Sequence, residues 1–281
     1  MRFPLNTIIC GDSKDLSFMP NGVVDLTVTS PPYRNAIDYN SHLKGEWFRG
    51  KTRKSIEEYL TEMKQVFKEV YRVTKIGGFC AIVIGNEIVN GNIIPLPHLL
   101  LSELLKIGWR LQEEIIWHKV TGGTNRFSVT VKNPYPTYYL ANIMHEHIFV
   151  LRKGGKIRRK VPNEKIVLND LMKKEVANSV WHIAPVPPGY LEHPCPYPEE
   201  IPYRLILLYT YAGDFVFDPF VGSGQTTKVA KALNRNFLGI DIIPEYVDLA
   251  IKRLNEPLHL RNPLIPKWIK LKKEVLLLGK R

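Results

Sequence analysis

An apolar run, Asp25-Leu26-Thr27-Val28-Thr29, breaks directly into Ser30-Pro31-Pro32-Tyr33. Two prolines carry no N–H and hold extended backbone angles, so this strand end presents carbonyls and a hydroxyl but almost no donors. Such a site suits a substrate that donates, such as an exocyclic amine, and Tyr33 adds a face on which a planar base can stack. Taken alone, Pro-Pro-Tyr after a strand also reads as a turn or as a docking motif for an aromatic groove.

A second apolar strand, Phe215-Val216-Phe217, leads into Asp218-Pro219-Phe220-Val221-Gly222-Ser223-Gly224-Gln225-Thr226-Thr227. Glycines here let the backbone lie flat against a ligand, and the free N–H groups of the following helix face it. The next strand, Phe237-Leu238-Gly239-Ile240, ends in Asp241, seventeen residues beyond Gly224. A carboxylate at that strand tip is placed to accept from two ribose hydroxyls, so the expected ligand contains an adenosine-like nucleoside. A phosphate-gripping P-loop needs Gly-Lys-Ser/Thr, but Gln225 follows Gly224. A dinucleotide fingerprint needs a third glycine, but Thr227 stands there.

Three other groups have plainer readings. Cys195 follows Pro194, as a nucleophilic cysteine does in cytosine C5 chemistry, but it sits in a run of alternating prolines and is expected to be structural. His145 and His147 flank Glu146, and strand period two puts both imidazoles on one face; nothing else points to a metal, so polar packing is expected. Trp181-His182 reads either as a DNA contact or as the closure of a small core.

Thr29-Ser-Pro-Pro-Tyr33, then Asp218-Pro-Phe-Val-Gly-Ser-Gly224 and Gly239-Ile-Asp241, resembles the amino-methylating DNA methyltransferases that use S-adenosylmethionine. The order, catalytic motif first and cofactor motif last, resembles their beta-type permutation. Cys10-Gly-Asp-Ser13 is similar to the family's N-terminal acidic motif, and His193-Pro-Cys-Pro-Tyr-Pro198 to the segment before its cofactor helix. The resemblance implies that Asp218, Phe220, Gly222, Ser223, Gly224, Gln225 and Thr226 wrap the methionine part of S-adenosylmethionine. It implies that Asp241 holds the ribose, Asp12 faces the adenine amine, and His193 to Tyr197 close over the methionine end. Gln225 stands where the family usually has Thr.

Catalysis would fall to Ser30, Pro31, Pro32 and Tyr33. The amino lone pair of cytosine or adenine is conjugated into the ring, and accepting its hydrogens at the Ser30 hydroxyl and Pro31 carbonyl localises it for attack on the methyl. Neither a metal nor a covalent intermediate is required. The buried amine must be flipped out of the duplex, with Tyr33 stacking on the base. In this family Ser-Pro-Pro-Tyr mostly accompanies cytosine N4 and Asp-Pro-Pro-Tyr adenine N6, so the resemblance implies N4. An N6-adenine enzyme, a degenerate DNA-binding protein of the same fold and an RNA substrate are the alternatives. Double-stranded DNA is the implied partner; a homodimer, and a cognate restriction endonuclease that is no stable subunit, stay open.

The motifs need a frame. Short apolar runs alternate with helical patterns, which predicts a doubly wound, mostly parallel sheet with helices on both faces. Strands are expected near Thr7–Cys10, Val24–Thr29, Phe79–Ile84, Glu113–Trp117, His147–Leu151, Phe215–Phe217 and Phe237–Ile240, seven in one α/β domain spanning 1–281. Ser55 and Glu58 form a capping-box signature, with Leu60, Met63, Phe67, Val70 and Val73 at helical spacing until Gly77-Gly78. Helices are also expected over Pro97–Lys106, Glu199–Thr210, Thr226–Leu233 and Pro244–Leu254. Segments 33–54 and 120–142 are candidate DNA-contacting loops, and 152–198 is the expected target-recognition insertion.

The formal charge of +12 suits a polyanion. Two stretches hold it. Residues 152–175 carry an excess of six positive charges, including Arg152, Lys153, Lys156, Arg158, Arg159 and Lys160, and 261–281 carry another six. The first falls where the family places target recognition and is expected to grip phosphates; the second reads as a packed segment, a subunit contact or a DNA clamp. No apolar run reaches the roughly 18–20 residues of a spanning helix, the N-terminus lacks a signal-peptide pattern, and three scattered cysteines, Cys10, Cys80 and Cys195, suggest the reducing cytoplasm.

Overall fold

The computed structural model describes residues 3–34, 54–156, 165–168, 170, 172–187, 189–191, 193 and 195–260. Most of the 33–54 loop, Arg158, Arg159, Lys160 and the basic 261–281 segment lie outside the described residues.

In chain order the elements are β1 (Thr7–Cys10), β2 (Val24–Thr29), α1 (Ile56–Val73), β3 (Thr74–Ile84), β4 (Glu87–Val89), β5 (Asn92–Ile94), α2 (Leu96–Ile107), β6 (Trp109–His118), α3 (Phe127–Lys132), β7 (His145–Lys153), β8 (Val180–His182), α4 (Glu200–Tyr209), β9 (Phe215–Asp218), α5 (Gln225–Ala232), β10 (Asn236–Asp241) and α6 (Pro244–Arg253). One sheet of eight strands runs β1-β10-β9-β2-β3-β7-β6-β8, with β4 and β5 forming a separate hairpin. Pairs from β1 to β3 are parallel, and β7 runs antiparallel to both β3 and β6. The mixed, mostly parallel α/β architecture is therefore the one expected.

Local chemistry sets the elements. Ser55 Oγ accepts from the Glu58 N–H at 3.0 Å and the Glu58 carboxylate accepts from the Ser55 N–H at 2.7 Å, so the capping box is formed. The helix stops at Val73 rather than at the glycines: the Thr74 hydroxyl bonds back to the Val70 carbonyl, and Gly77-Gly78 lie inside β3. The expectation of seven strands is corrected to eight. β8 is only three residues long, too short for a run of alternation to announce it, and is held by pairing with β6.

Because inner strands of such a sheet are covered on both faces, their residues are buried throughout, as in β2. On one face, Met63, Phe67 and Val70 of α1 with Leu100 and Leu104 of α2 pack on Cys80, Ile82 and Phe217. On the other, Ile201, Leu205, Val229 and Ala250 pack on Val28, Ala81 and Val216. Trp181 belongs to this second core, its indole N–H donating to the Val176 carbonyl, so it closes a core and offers no surface to DNA. A buried charge cluster fastens the helices: Glu199 accepts from Lys228 of α5 at 2.7 Å and from Arg253 of α6 at 2.9 Å. Among the described residues no helix is long and apolar enough to cross a membrane.

Candidate active site

Parallel strands end on one edge of a sheet, so β1, β2, β9 and β10 deliver their following loops to one place. Gly11 to Lys14, Ser30 to Tyr33, Pro219 to Ser223, and Asp241 to Ile243 line a single cavity of about 260 Å³, closed by His193, Cys195 to Tyr197, and Met63 and Val66 of α1. Motifs almost two hundred residues apart thus face the same space.

Asp241 is anchored from both sides. One oxygen accepts from the Gly222 N–H at 2.9 Å and the other from the Ile243 N–H at 3.0 Å. Burial raises its pKa and these N–H groups oppose the rise; each oxygen keeps a lone pair for a further donor. The Gly-Ser-Gly loop needs its glycines: Gly222 and Gly224 have φ of +47° and +80°. A Cβ on Gly222 would stand 2.8 Å from His193 Nε2, and one on Gly224 3.0 Å from the Ala250 backbone.

Asp12, Ser30, Pro31, Pro32, Tyr33, His193, Phe220, Gly222, Ser223, Gln225 and Asp241 all border the cavity. Three expected ligand residues do not. Asp218 is 1% exposed and faces inward, accepting from the Thr29 hydroxyl at 2.6 Å, the Phe220 N–H at 3.1 Å and the Tyr197 hydroxyl at 3.3 Å. Burial pushes its pKa up to about 6, against the pull of those donors. Thr226 is buried between the Val28 carbonyl and the Tyr197 hydroxyl, and Gly224 is the turn before α5. These three hold the wall in shape from behind. Gln225 borders the cavity, but its amide N–H₂ donates to the Tyr197 carbonyl and its oxygen accepts from Arg253, so both polar ends are engaged by protein.

Ser30 to Tyr33 is clamped at both ends. Thr29 is tied to Asp218 before it, and Arg34 after it makes a buried ion pair with Glu87 of β4 at 2.8 Å. Tyr33 donates its hydroxyl to Glu146 at 2.9 Å, and Glu146, 7% exposed on β7, also pairs with Lys119. The ammonium of Lys119 lies 4.9 Å from the Trp117 ring centre. Sequence reasoning passed over Glu146 and Lys119. The available signal was alternation: Glu146 must face opposite to His145 and His147, on the side where Trp117 and Lys119 point. Cys195 borders the cavity with its thiol pushed up to about 11, by burial first and then by Glu146, so it is protonated at neutral pH and poorly suited to nucleophilic attack.

The basic stretch sits elsewhere. Arg152 pairs with Phe79 midway along β3 whereas His147 pairs with Ile84 at its end, so antiparallel β7 carries Arg152 and Lys153 roughly 17 Å away from the cavity edge. Lys153 turns inward and donates to the Tyr71 and Thr74 carbonyls at 2.6 and 2.9 Å. Arg152 donates to the Gly155 carbonyl at 2.8 Å. Arg152 and Lys153, expected to begin a phosphate-gripping segment, therefore stand well along β7 from the cavity. Residues 119–144 instead link β6 to β7 at the cavity edge, and there Phe127, Val131, Tyr135, Tyr138 and Tyr139 are exposed, with Tyr139 at 63%.

Comparison with known proteins follows the same lines. The sequence pattern of a DNA methylase family, the N6/N4 methyltransferases, matches residues 24–252. The chain is 30% identical over 258 residues to the type II methyltransferase M.ScaI of Streptomyces caespitosus, covering 87% of this chain and 79% of that one. It is 28% identical over 282 residues to the orphan methyltransferase M.BamHII of Bacillus amyloliquefaciens, covering 88% and 95%. Among solved structures, the protein TTHA0409 of Thermus thermophilus superposes with a TM-score of 0.70 at 27% identity over 89% of this chain and 94% of its own. The same protein complexed with S-adenosyl-L-methionine gives a TM-score of 0.68, over 88% of this chain and 94% of its own.

Proposed function

This chain belongs to the N6/N4 DNA methylase family, and on that premise we propose that it transfers the methyl group of S-adenosylmethionine to the exocyclic N4 amine of a cytosine flipped out of duplex DNA. The observation that carries the reading is the single cavity bordered by Ser30, Pro31 and Tyr33 on one side and by Gly222, Ser223 and Asp241 on the other.

The residues present fit the cofactor. Gly222 leaves a cradle on the cavity wall that a side chain would fill, and Asp241 keeps lone pairs for a ribose diol. Asp12 borders the same cavity as an acceptor for the adenine amine, and His193 packs over Gly222, braced by the Tyr246 ring at 4.8 Å. When bound, S-adenosylmethionine supplies a methyl group made electrophilic by its sulfonium.

The protein's own work is placement and hydrogen bonding. Ser30 and the Pro31 carbonyl accept hydrogens from the amine as its nitrogen becomes tetrahedral, which favours the transition state over the ground state. Tyr33 offers its ring to the base while Glu146, itself paired with Lys119, holds its hydroxyl. The exposed aromatic and basic side chains of 119–144, among them Lys132, Tyr138 and Tyr139, form the proposed DNA face. Methylation of a plasmid with labelled cofactor, followed by nucleoside mass spectrometry and mapping of the modified context, tests the reading. N4-methylcytosine is expected. Finding N6-methyladenine alone overturns the choice of base, and cofactor binding without methylation of any DNA overturns the enzymatic reading.

A further inference from the structure

Away from the cavity, on the opposite face of β7, three side chains from three elements converge. His98 stands in the first turn of α2, Glu114 on β6 and His147 on β7. His147 Nδ1 lies 3.0 Å from Glu114 Oε1, and the His98 and His147 rings meet edge to face with centres 4.9 Å apart. One ligand-capable atom from each of the three lies within 4.8 Å of the others. The His145 ring, two residues along the strand, is centred 5.3 Å from that of His147.

Plain packing does not explain this grouping well. The His98 and His147 rings also meet Phe149, yet ring contact gives no role to the Glu114 carboxylate, whose only ion-pair partner among the described residues is His147. Nitrogen and carboxylate donors in this ratio are a donor set that suits zinc and its neighbours; magnesium and calcium prefer all-oxygen shells. Around a tetrahedral zinc the ligand atoms stand about 3.4 Å apart, given bonds of 2.0–2.2 Å. Glu114 and His147 are already within that spacing at 3.0 Å, and the set as a whole spans up to 4.8 Å. His98 and Glu114 are exposed, so small rotations close the remainder, while buried His147 fixes one wall.

We propose that His98, Glu114 and His147 form a binding site for a zinc-type divalent ion, with water completing the shell. Its office is mechanical: the ion ties α2 to the β6–β7 pair. Strand alternation gives the site reach, because the run His145-Glu146-His147 presents imidazole to the ion on one face and Glu146 to Tyr33 on the other. The proposal concerns a different face from the methyl-transfer cavity and stands apart from the choice of base.

Chelator-treated protein lacking any polyhistidine tag is titrated with zinc and, separately, with cobalt. One equivalent of zinc is expected to raise the thermal midpoint by roughly 5 °C, and cobalt to give the visible absorption of a four-coordinate site. His98→Ala and Glu114→Gln change exposed side chains and leave the fold intact; each is expected to weaken binding at least tenfold, and together to abolish it. Absence of stoichiometric binding overturns the proposal. Binding that survives both substitutions also overturns it, because the ion then sits on other histidines.

Discussion

The Thr29 hydroxyl donates to Asp218 Oδ1 at 2.6 Å, joining residues 189 positions apart. One is the last residue before Ser30 and the other the last before the Pro219 to Gly224 loop, so a single buried hydrogen bond fixes the distance between the two halves of the site. Ser13 adds a second link, its hydroxyl donating to the Pro219 carbonyl at 2.7 Å.

That carboxyl gives a pH signature. With its folded pKa raised from 3.8 to about 6, Asp218 contributes stability in its protonated form that is present below about pH 4 and lost as pH rises through 6. Relative to Asp218→Asn, which cannot titrate, wild-type stability should fall between pH 4 and 7 by on the order of 2–3 kcal/mol. Urea unfolding of both proteins across that range measures it; a difference independent of pH refutes the assignment.

The two sides of the cavity should separate by mutation. Ser30→Ala is expected to lower turnover roughly 10²–10³-fold with cofactor affinity retained. Asp241→Ala is expected to weaken cofactor binding about 10–100-fold, the value of hydrogen bonds to a charged acceptor. Calorimetry for binding and single-turnover kinetics for transfer keep the two apart, and equal losses of both in each variant contradict the division.

Glu146 acts through Tyr33 as a positioning residue. Glu146→Gln should cut turnover at least tenfold while leaving cofactor affinity within twofold, and should leave Lys119 facing no carboxylate. Stability then falls by roughly 1–3 kcal/mol, less than for a fully buried pair because Lys119 is partly exposed. Adding Lys119→Met should recover stability but not turnover. Full recovery of turnover in the double variant means the pair serves folding alone.

Lys153 and Tyr139 should behave oppositely. Lys153→Met removes a cation bonded to backbone carbonyls at the end of α1 and should lower stability by about 1–3 kcal/mol with little change in DNA affinity. Tyr139→Ala, at an exposed position, should leave stability within about 0.5 kcal/mol and weaken DNA binding at least fivefold. Reversal of this pattern in gel shift and thermal melts returns the phosphate-gripping role to β7.

What could be read from the chain was local. Proline after a strand, a Gly-Ser-Gly turn and a strand-tip aspartate each declare themselves within a dozen residues, because backbone freedom and missing donors are properties of the residues themselves. Strand direction is not local. Periodicity marks His147 to Leu151 as a strand equally well whichever way it runs, and the antiparallel choice is what sent Arg152 and Lys153 to the far edge. Asp218 shows a second limit: its motif was legible, yet whether the carboxylate points at a ligand or back at Thr29 depends on β2, which arrives from the other end of the chain. Glu146 and Lys119 escaped notice because their meaning lies in Tyr33, over a hundred residues away from Glu146 in the chain.

Among the described residues β1 pairs with β10 alone, and β9 is the neighbour of β2 on the side away from β3. During synthesis the first strand therefore leaves the ribosome long before its mate, residues 236–241, exists. Until then the nascent protein exposes open edges at β1 and β2, the sort of surface that chaperones cover and that aggregates recruit. A chain stopped short of β10 lacks both Asp241 and the partner of its own beginning, so messages cut short upstream of that point yield no partly working enzyme.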